Sequence, residues 1–251
     1  LDRTCVAIFI TTDKCYENRE WLYAYREDDA LGGYDPYSSS KAAAEIAIAA
    51  FRRSFFHPST APRVKIASAR AGNVIGGGDW ALDRIVPDSM RSLQGGEAIP
   101  VRNKGATRPW QHVLEPLSGY LSLGARIATA PDPTELCSAF NFGPALRSNR
   151  SVEALVRELL ANWPGEWVDN SDPNAVHEAG RLNLAIERAF HLLAWSPVWQ
   201  FEETIAKTVE WYRFSAEAGN DSARLREFTL RQIEQYVSAA RGQGLTWAQT
   251  S

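Results

Sequence analysis

The chain has 251 residues, 45% apolar and 23% charged, and 27 Lys and Arg against 30 Asp and Glu leave a formal charge of −3. This profile fits a folded domain or a domain and a half, and excludes a disordered tail, a coiled coil or a collagen-like fibre. No apolar run approaches the ~20 residues that span a bilayer, and no basic excess marks a nucleic-acid surface. A nucleic-acid or membrane partner is therefore not expected. The three cysteines, Cys5, Cys15 and Cys137, show neither metal-ligand spacing nor an even framework. They suit a reduced cytoplasm, with no metal. The first residues lack the basic lead and cleavage site of a signal peptide.

Residues 5–10 (CVAIFI) form a continuous apolar, β-branched and aromatic run that ends in Thr11, Thr12, Asp13 and Lys14. Such a run reads as a buried parallel strand, and ligands in open α/β sheets sit at the carboxyl ends of strands. A loop with Gly32, Gly33 and Pro36 leads into an Ala-rich helix over about 37–55. A second strand over 63–70 then enters a polar loop, 73–80, with three consecutive glycines. Strand, helix and strand make one right-handed βαβ unit. Further on, helices are expected near 83–93, 115–128, 186–193, 204–218 and 223–239, with strands at 99–101 and 139–142. Ser151 reads as the N-cap of a helix through 162, with Glu153 placed to favour its dipole. No internal repeat or low-complexity segment occurs.

Tyr37-Ser38-Ser39-Ser40-Lys41 is the strongest chemical feature. Residues i and i+4 share a helix face, so phenol and ammonium can point into one site. A nearby cation favours phenolate, the form that acts as a general base. Thr12-Asp13-Lys14 follows one strand, Asn73 follows the next, and the Tyr–Lys pair opens the helix between them. Three polar clusters thus meet at one sheet edge. The Gly76-Gly77-Gly78 run lacks the spacing of a phosphate cradle and reads as a flexible substrate-side loop. His112 reads as a packing residue.

These strings are similar to the extended short-chain dehydrogenase/reductase family of nucleotide-sugar enzymes. Residues 12–21 (TDKCYENREW), 33–41 (GYDPYSSSK), 70–80 (RAGNVIGGGDW) and 108–119 (RPWQHVLEPLSG) resemble its CDP-glucose 4,6-dehydratase branch. The resemblance implies an α/β fold: the later part of a Rossmann-type doubly wound parallel sheet plus a smaller mixed α/β substrate region. It places the later half of an NAD-binding Rossmann domain in 1–75. Residues 76–251 would mainly bind the nucleotide sugar, with some segments returning to the first domain.

The resemblance also implies chemistry. NAD would be the cofactor, held by Thr11, Tyr37 and Lys41. Tyr37, assisted by Lys41, would take the C4 hydroxyl proton of glucose. Thr12 would hydrogen-bond the C4 oxygen, and Asp13 would protonate the departing C6 hydroxyl. Asn73, Arg102, Arg108 and Arg181 would contact the sugar or diphosphate. In the dTDP-glucose branch an acidic residue follows this aspartate and serves as the C5 base. Lys14 stands there instead, and two roles stay open for it: the base itself, or a partner that keeps Asp13 ionised. The product would be a 4-keto-6-deoxy sugar for cell-surface glycans such as lipopolysaccharide O-antigen, made by a cytoplasmic homodimer. Ala43, Ile46, Ala47 and Ala50 form an apolar face that serves either that dimer or packing on the sheet.

The Gly-rich turn that holds the dinucleotide pyrophosphate in complete family members does not occur in these residues. The chain reads either as a fragment or as a form without its cofactor half, so its activity alone stays open. An epimerase or decarboxylase of the same superfamily, or a non-catalytic nucleotide-sugar binder, are the alternative readings.

Overall fold

The computed structural model describes residues 3–61, 63–171, 182–219 and 221–249. In chain order they form β1 (Cys5–Ile10), α1 (Pro36–Ser54), β2 (Val64–Ala71), β3 (Val74–Ile75), α2 (Ile85–Gly95) and β4 (Ile99–Val101). Next come β5 (Thr107–Pro109), β6 (Gln111–His112), α3 (Leu114–Thr129), β7 (Ala139–Phe142), β8 (Asn149–Ser151) and α4 (Val152–Asn162). The last are β9 (Trp167–Asp169), α5 (Glu187–Leu193), α6 (Phe201–Ala218), α7 (Ser222–Gly242) and α8 (Thr246–Gln249).

The two expected strands pair in parallel, Cys5 opposite Val64 through Ile10 opposite Ala69, with α1 as the crossover. β7 joins the far side of β2, also in parallel, so the order is β1-β2-β7. Side chains alternate across the sheet. Val6, Ile8, Ala67 and Ala69 face a core built with Leu123 and Ile127 of α3 and with Ala189 and Leu193 of α5. Ser68 and Arg70 face α1. A second core gathers Met90, Ile99, Leu155, Leu159, Ile205 and Tyr212 from α2, β4, α4 and α6.

The helix at 83–93 starts two residues later than expected because Asp83 has a φ of 60° and Arg84 is extended. Ser151 caps α4 as expected, its side chain accepting from the Ala154 N–H. The glycine loop is fastened rather than loose. A Cβ on Gly77 would lie 2.0 Å from Cγ of Trp211, and the Tyr212 hydroxyl donates to the Asp79 carbonyl. His112 is a core residue: it is buried against Trp199, and burial pushes its pKa down to about 3.

Glu115, at the start of α3, holds the chain's end in place. Its buried carboxylate accepts from the N–H groups of Val198 (2.9 Å) and Trp199 (2.7 Å) and from the Tyr236 hydroxyl (2.8 Å). Burial pushes its pKa up to about 7 despite those donors. Glu115→Ala would orphan both N–H groups and leave the Tyr236 hydroxyl with Ser118 alone, at roughly 3 kcal/mol or more. The denaturation midpoint should fall accordingly, and an unchanged midpoint would contradict this role.

Candidate active site

The site is assembled where β1 ends. Thr12 is extended and caps a single 3-10 turn, Asp13–Cys15. Its hydroxyl donates to Oδ1 of Asp13 at 2.9 Å and accepts from the Lys14 N–H at 3.4 Å. The turn directs Asp13 inward, leaving it 2% exposed, and Lys14 outward. Burial raises the Asp13 pKa to about 6, against the opposing pull of Thr12, Lys14 and Arg108. The group can therefore carry a proton near neutrality, as a general acid must.

Asp35 starts α1 by accepting from the N–H groups of Tyr37 (2.9 Å) and Ser38 (3.1 Å), with Pro36 at the first helical position. Both features favour helix initiation there. Gly33 makes the approach possible, since a Cβ there would lie 2.3 Å from the Ser39 nitrogen. Tyr37 consequently stands in the first turn, 53% exposed. The Lys14 and Lys41 ammonium groups each lie 5.8 Å from its ring centroid. Two ammonium groups thus approach the phenol ring, and Lys41 makes no ion pair among the described residues. Lys14 likewise leans on Tyr37 rather than forming an ion pair with Asp13.

The end of β2 closes the floor. Gly72 packs on Asp13 so tightly that a Cβ would sit 2.9 Å from its Oδ2. Asn73 follows, half-buried. Gly72→Ala should displace the Asp13 carboxyl. The clash should lower the denaturation midpoint by the equivalent of about 1–3 kcal/mol, and an unchanged midpoint would contradict that packing.

The other candidates are placed differently. Arg108 lies in β5, close enough to pull on Asp13 electrostatically. Arg102 does not join the catalytic cluster in any described contact. It is 75% exposed and paired with Asp83 at 2.9 Å. Arg181 lies outside the described residues. The Thr11 hydroxyl is already turned to Glu45, donating to its Oε1. A group of residues absent from the sequence expectations lies beneath the site: Glu45, Ser68, Arg70, Tyr16 and Asn141. The only local signal for it was a lone Glu in the Ala-rich helix, one turn beyond Lys41.

Among the described residues no His, Cys, Asp and Glu cluster could hold a metal. None of their helices is long and apolar enough to cross a membrane. The donors present fit one end of a dinucleotide: a phenol and an unpaired ammonium at a sheet's carboxyl edge suit a ribose and a reacting hydroxyl. No Gly-rich pyrophosphate cradle occurs among them.

No protein-family model matches the chain. It is 43% identical over 234 residues to CDP-glucose 4,6-dehydratase of Salmonella typhimurium, covering 92% of this chain and 63% of that protein. It is 26% identical over 215 residues to dTDP-D-glucose 4,6-dehydratase of Mus musculus, covering 82% and 55%. In fold it resembles the dTDP-glucose 4,6-dehydratase of Bacillus anthracis, solved in complex with NAD (TM-score 0.66, 20% identity, 84% and 62% of the two chains). UDP-glucuronic acid 4-epimerase of Bacillus cereus, in complex with UDP-glucuronic acid and NAD, is similar too (TM-score 0.69, 16% identity, 83% and 62%). The chain thus spans somewhat less than two thirds of these proteins' length. Over the stretch it spans, it has the Rossmann-type fold of nucleotide-sugar dehydratases and epimerases, and its sequence is similar to CDP-glucose 4,6-dehydratase.

Proposed function

We propose that this chain carries the catalytic part of a CDP-glucose 4,6-dehydratase. The observation that carries the reading is the pairing of a protonatable buried acid, Asp13, with a phenol flanked by two ammonium groups, Tyr37 between Lys14 and Lys41. An epimerase needs the phenol but has no leaving hydroxyl that calls for such an acid.

Tyr37 takes the proton of the C4 hydroxyl, and Lys41 stabilises the phenolate that has to form. Thr12 orients the C4 oxygen. Tyr37 and Lys41 would hold NAD on its ribose side, and the bound cofactor would supply reversible hydride transfer between C4 and C6 of the sugar, while the Thr11 hydroxyl stays with Glu45. The C4 ketone acidifies the C5 proton, and Lys14, after giving up its own proton, is assigned as the neutral amine that accepts it. Asp13 donates its proton to the C6 hydroxyl, which leaves as water. Asn73 and Arg108 hold the sugar and diphosphate; Arg102 and Arg181 are assigned the outer phosphate contacts, as guanidinium groups suit oxyanions.

The β1-β2-β7 layer serves the cofactor side, and the second core serves the nucleotide sugar. The three free cysteines support a cytoplasmic setting, and a 4-keto-6-deoxy product suits cell-surface glycan synthesis. Ala43, Ile46, Ala47 and Ala50 all face away from the sheet, with Ile46 58% exposed. That supports a homodimer through α1 over packing on the sheet. Ile46→Glu should give a monomer by light scattering, and a dimer retained in that variant would move the interface elsewhere.

Incubation of the purified protein with NAD and CDP-glucose tests the reading. A nucleotide sugar lighter by one water is expected, whereas an unchanged mass with altered stereochemistry would indicate an epimerase. Binding without conversion would favour a nucleotide-sugar-binding module.

A further inference from the structure

Tyr37, Lys41 and Glu45 are four residues apart along α1, so they lie on one stripe of the helix. The first two meet the site, and the third is sealed beneath it with 2% of its side chain exposed. Glu45 Oε1 accepts from Thr11, the residue immediately before Thr12-Asp13. Its Oε2 accepts from Ser68 and from Arg70 Nη2, each at 2.8 Å. One carboxylate on the Tyr–Lys helix therefore grips the ends of both strands that carry the rest of the site.

Arg70 extends the grip. Its Nη1 donates to the Tyr16 hydroxyl (2.7 Å) and the Glu27 carbonyl (2.9 Å), and its guanidinium lies over the Tyr16 ring at 5.0 Å. Tyr16 directly follows the turn that presents Asp13, and it donates in turn to Asn141 of β7 at 2.7 Å. Burial would lift the Glu45 carboxyl, but Arg70, Thr11 and Ser68 hold it below its ordinary range. Glu45 and Tyr16 in turn outweigh burial at Arg70 and keep it charged.

A buried ion pair is a poor means of gaining stability, because desolvation consumes most of the attraction. Its worth is geometric. We infer that Glu45 and Arg70 are positioning residues that set the spacing of Tyr37 and Lys41 from Thr12 and Asp13. This inference rests on the dehydratase reading of the site.

Removing one partner alone would leave a buried charge and destabilise the fold. The decisive variant is the double exchange Glu45→Met, Arg70→Met, which removes both charges and retains apolar bulk. It should keep a near-native denaturation midpoint and CDP-glucose affinity, yet lose on the order of 10²-fold in kcat. Full turnover in a stable double variant would show that the pair only holds the fold together, and would overturn the inference. Should that variant fail to fold, Thr11→Val decides, because it deletes a single hydroxyl from a partly exposed position. A fall in kcat with unchanged KM for both CDP-glucose and NAD is expected, and an unchanged kcat would overturn the inference. If the unmodified protein released no dehydrated product, the dehydratase reading itself would fail, a result separate from either of these.

Discussion

Tyr37→Phe is expected to reduce turnover by about 10³-fold, the scale of losing a positioned acid–base group. The loss should fall on chemistry and spare binding. The Tyr37 side chain is half-exposed on the first turn of α1, and its contacts with Lys14 and Lys41 are made by the ring, which phenylalanine retains. The helix start depends on Asp35 and Pro36, which the exchange leaves alone. CDP-glucose affinity by calorimetry and the denaturation midpoint should both stay as they were. A variant that keeps most of its rate would remove Tyr37 from the role of base.

Asp13→Asn is expected to have an effect of similar size at a different step. Asparagine can still accept from Thr12, so the turn survives, but it has no proton to give the C6 hydroxyl. Oxidation at C4 should continue while water loss falls by about 10²-fold to 10⁴-fold. Reduced cofactor and the 4-keto sugar should then accumulate without a dehydrated product. Rapid formation of that product would assign the acid elsewhere.

The same exchange has a consequence for stability. Burial raises the Asp13 pKa from 3.8 to about 6. Below the unfolded value both states hold the proton and no difference arises. Between the two values the folded state alone is protonated, so stability declines as pH rises, and the full penalty applies above about 6. A shift of this size corresponds to on the order of 3 kcal/mol. Asp13→Asn should therefore be more stable than the parent protein at mildly alkaline pH. That advantage should disappear as pH falls below the ordinary aspartate range. An alkaline-pH destabilisation by Asn would contradict the burial argument.

The βαβ unit was legible because its signals are local. Residues 5–10 form an apolar run, 63–70 read as a second strand, and each enters a polar cluster; the helix is expected from about 37, whereas Asp35 caps it and Pro36 opens it. The Tyr37–Lys41 stripe follows from helical spacing alone. The short pairings β3–β6, β5–β8 and β4–β9 were not legible in full, since two or three residues carry no periodicity. The Glu45–Arg70 network escaped for a different reason. Its members come from α1, the segment after β1, β2 and β7 and meet only through the fold, as when the Asn141 N–H donates to the Glu27 carboxylate. Arginines posed a similar difficulty. Arg102 and Arg108 look alike in the sequence, yet one pairs with Asp83 on the surface and the other acts on Asp13.

The most direct test of the account uses CDP-glucose carrying deuterium at C4, converted in the presence of unlabelled NAD. Dehydration steered by Tyr37 and Asp13 predicts a 4-keto-6-deoxy product that is one water lighter and carries the deuterium at C6. A product of unchanged composition, or one whose C6 holds no label, would contradict it.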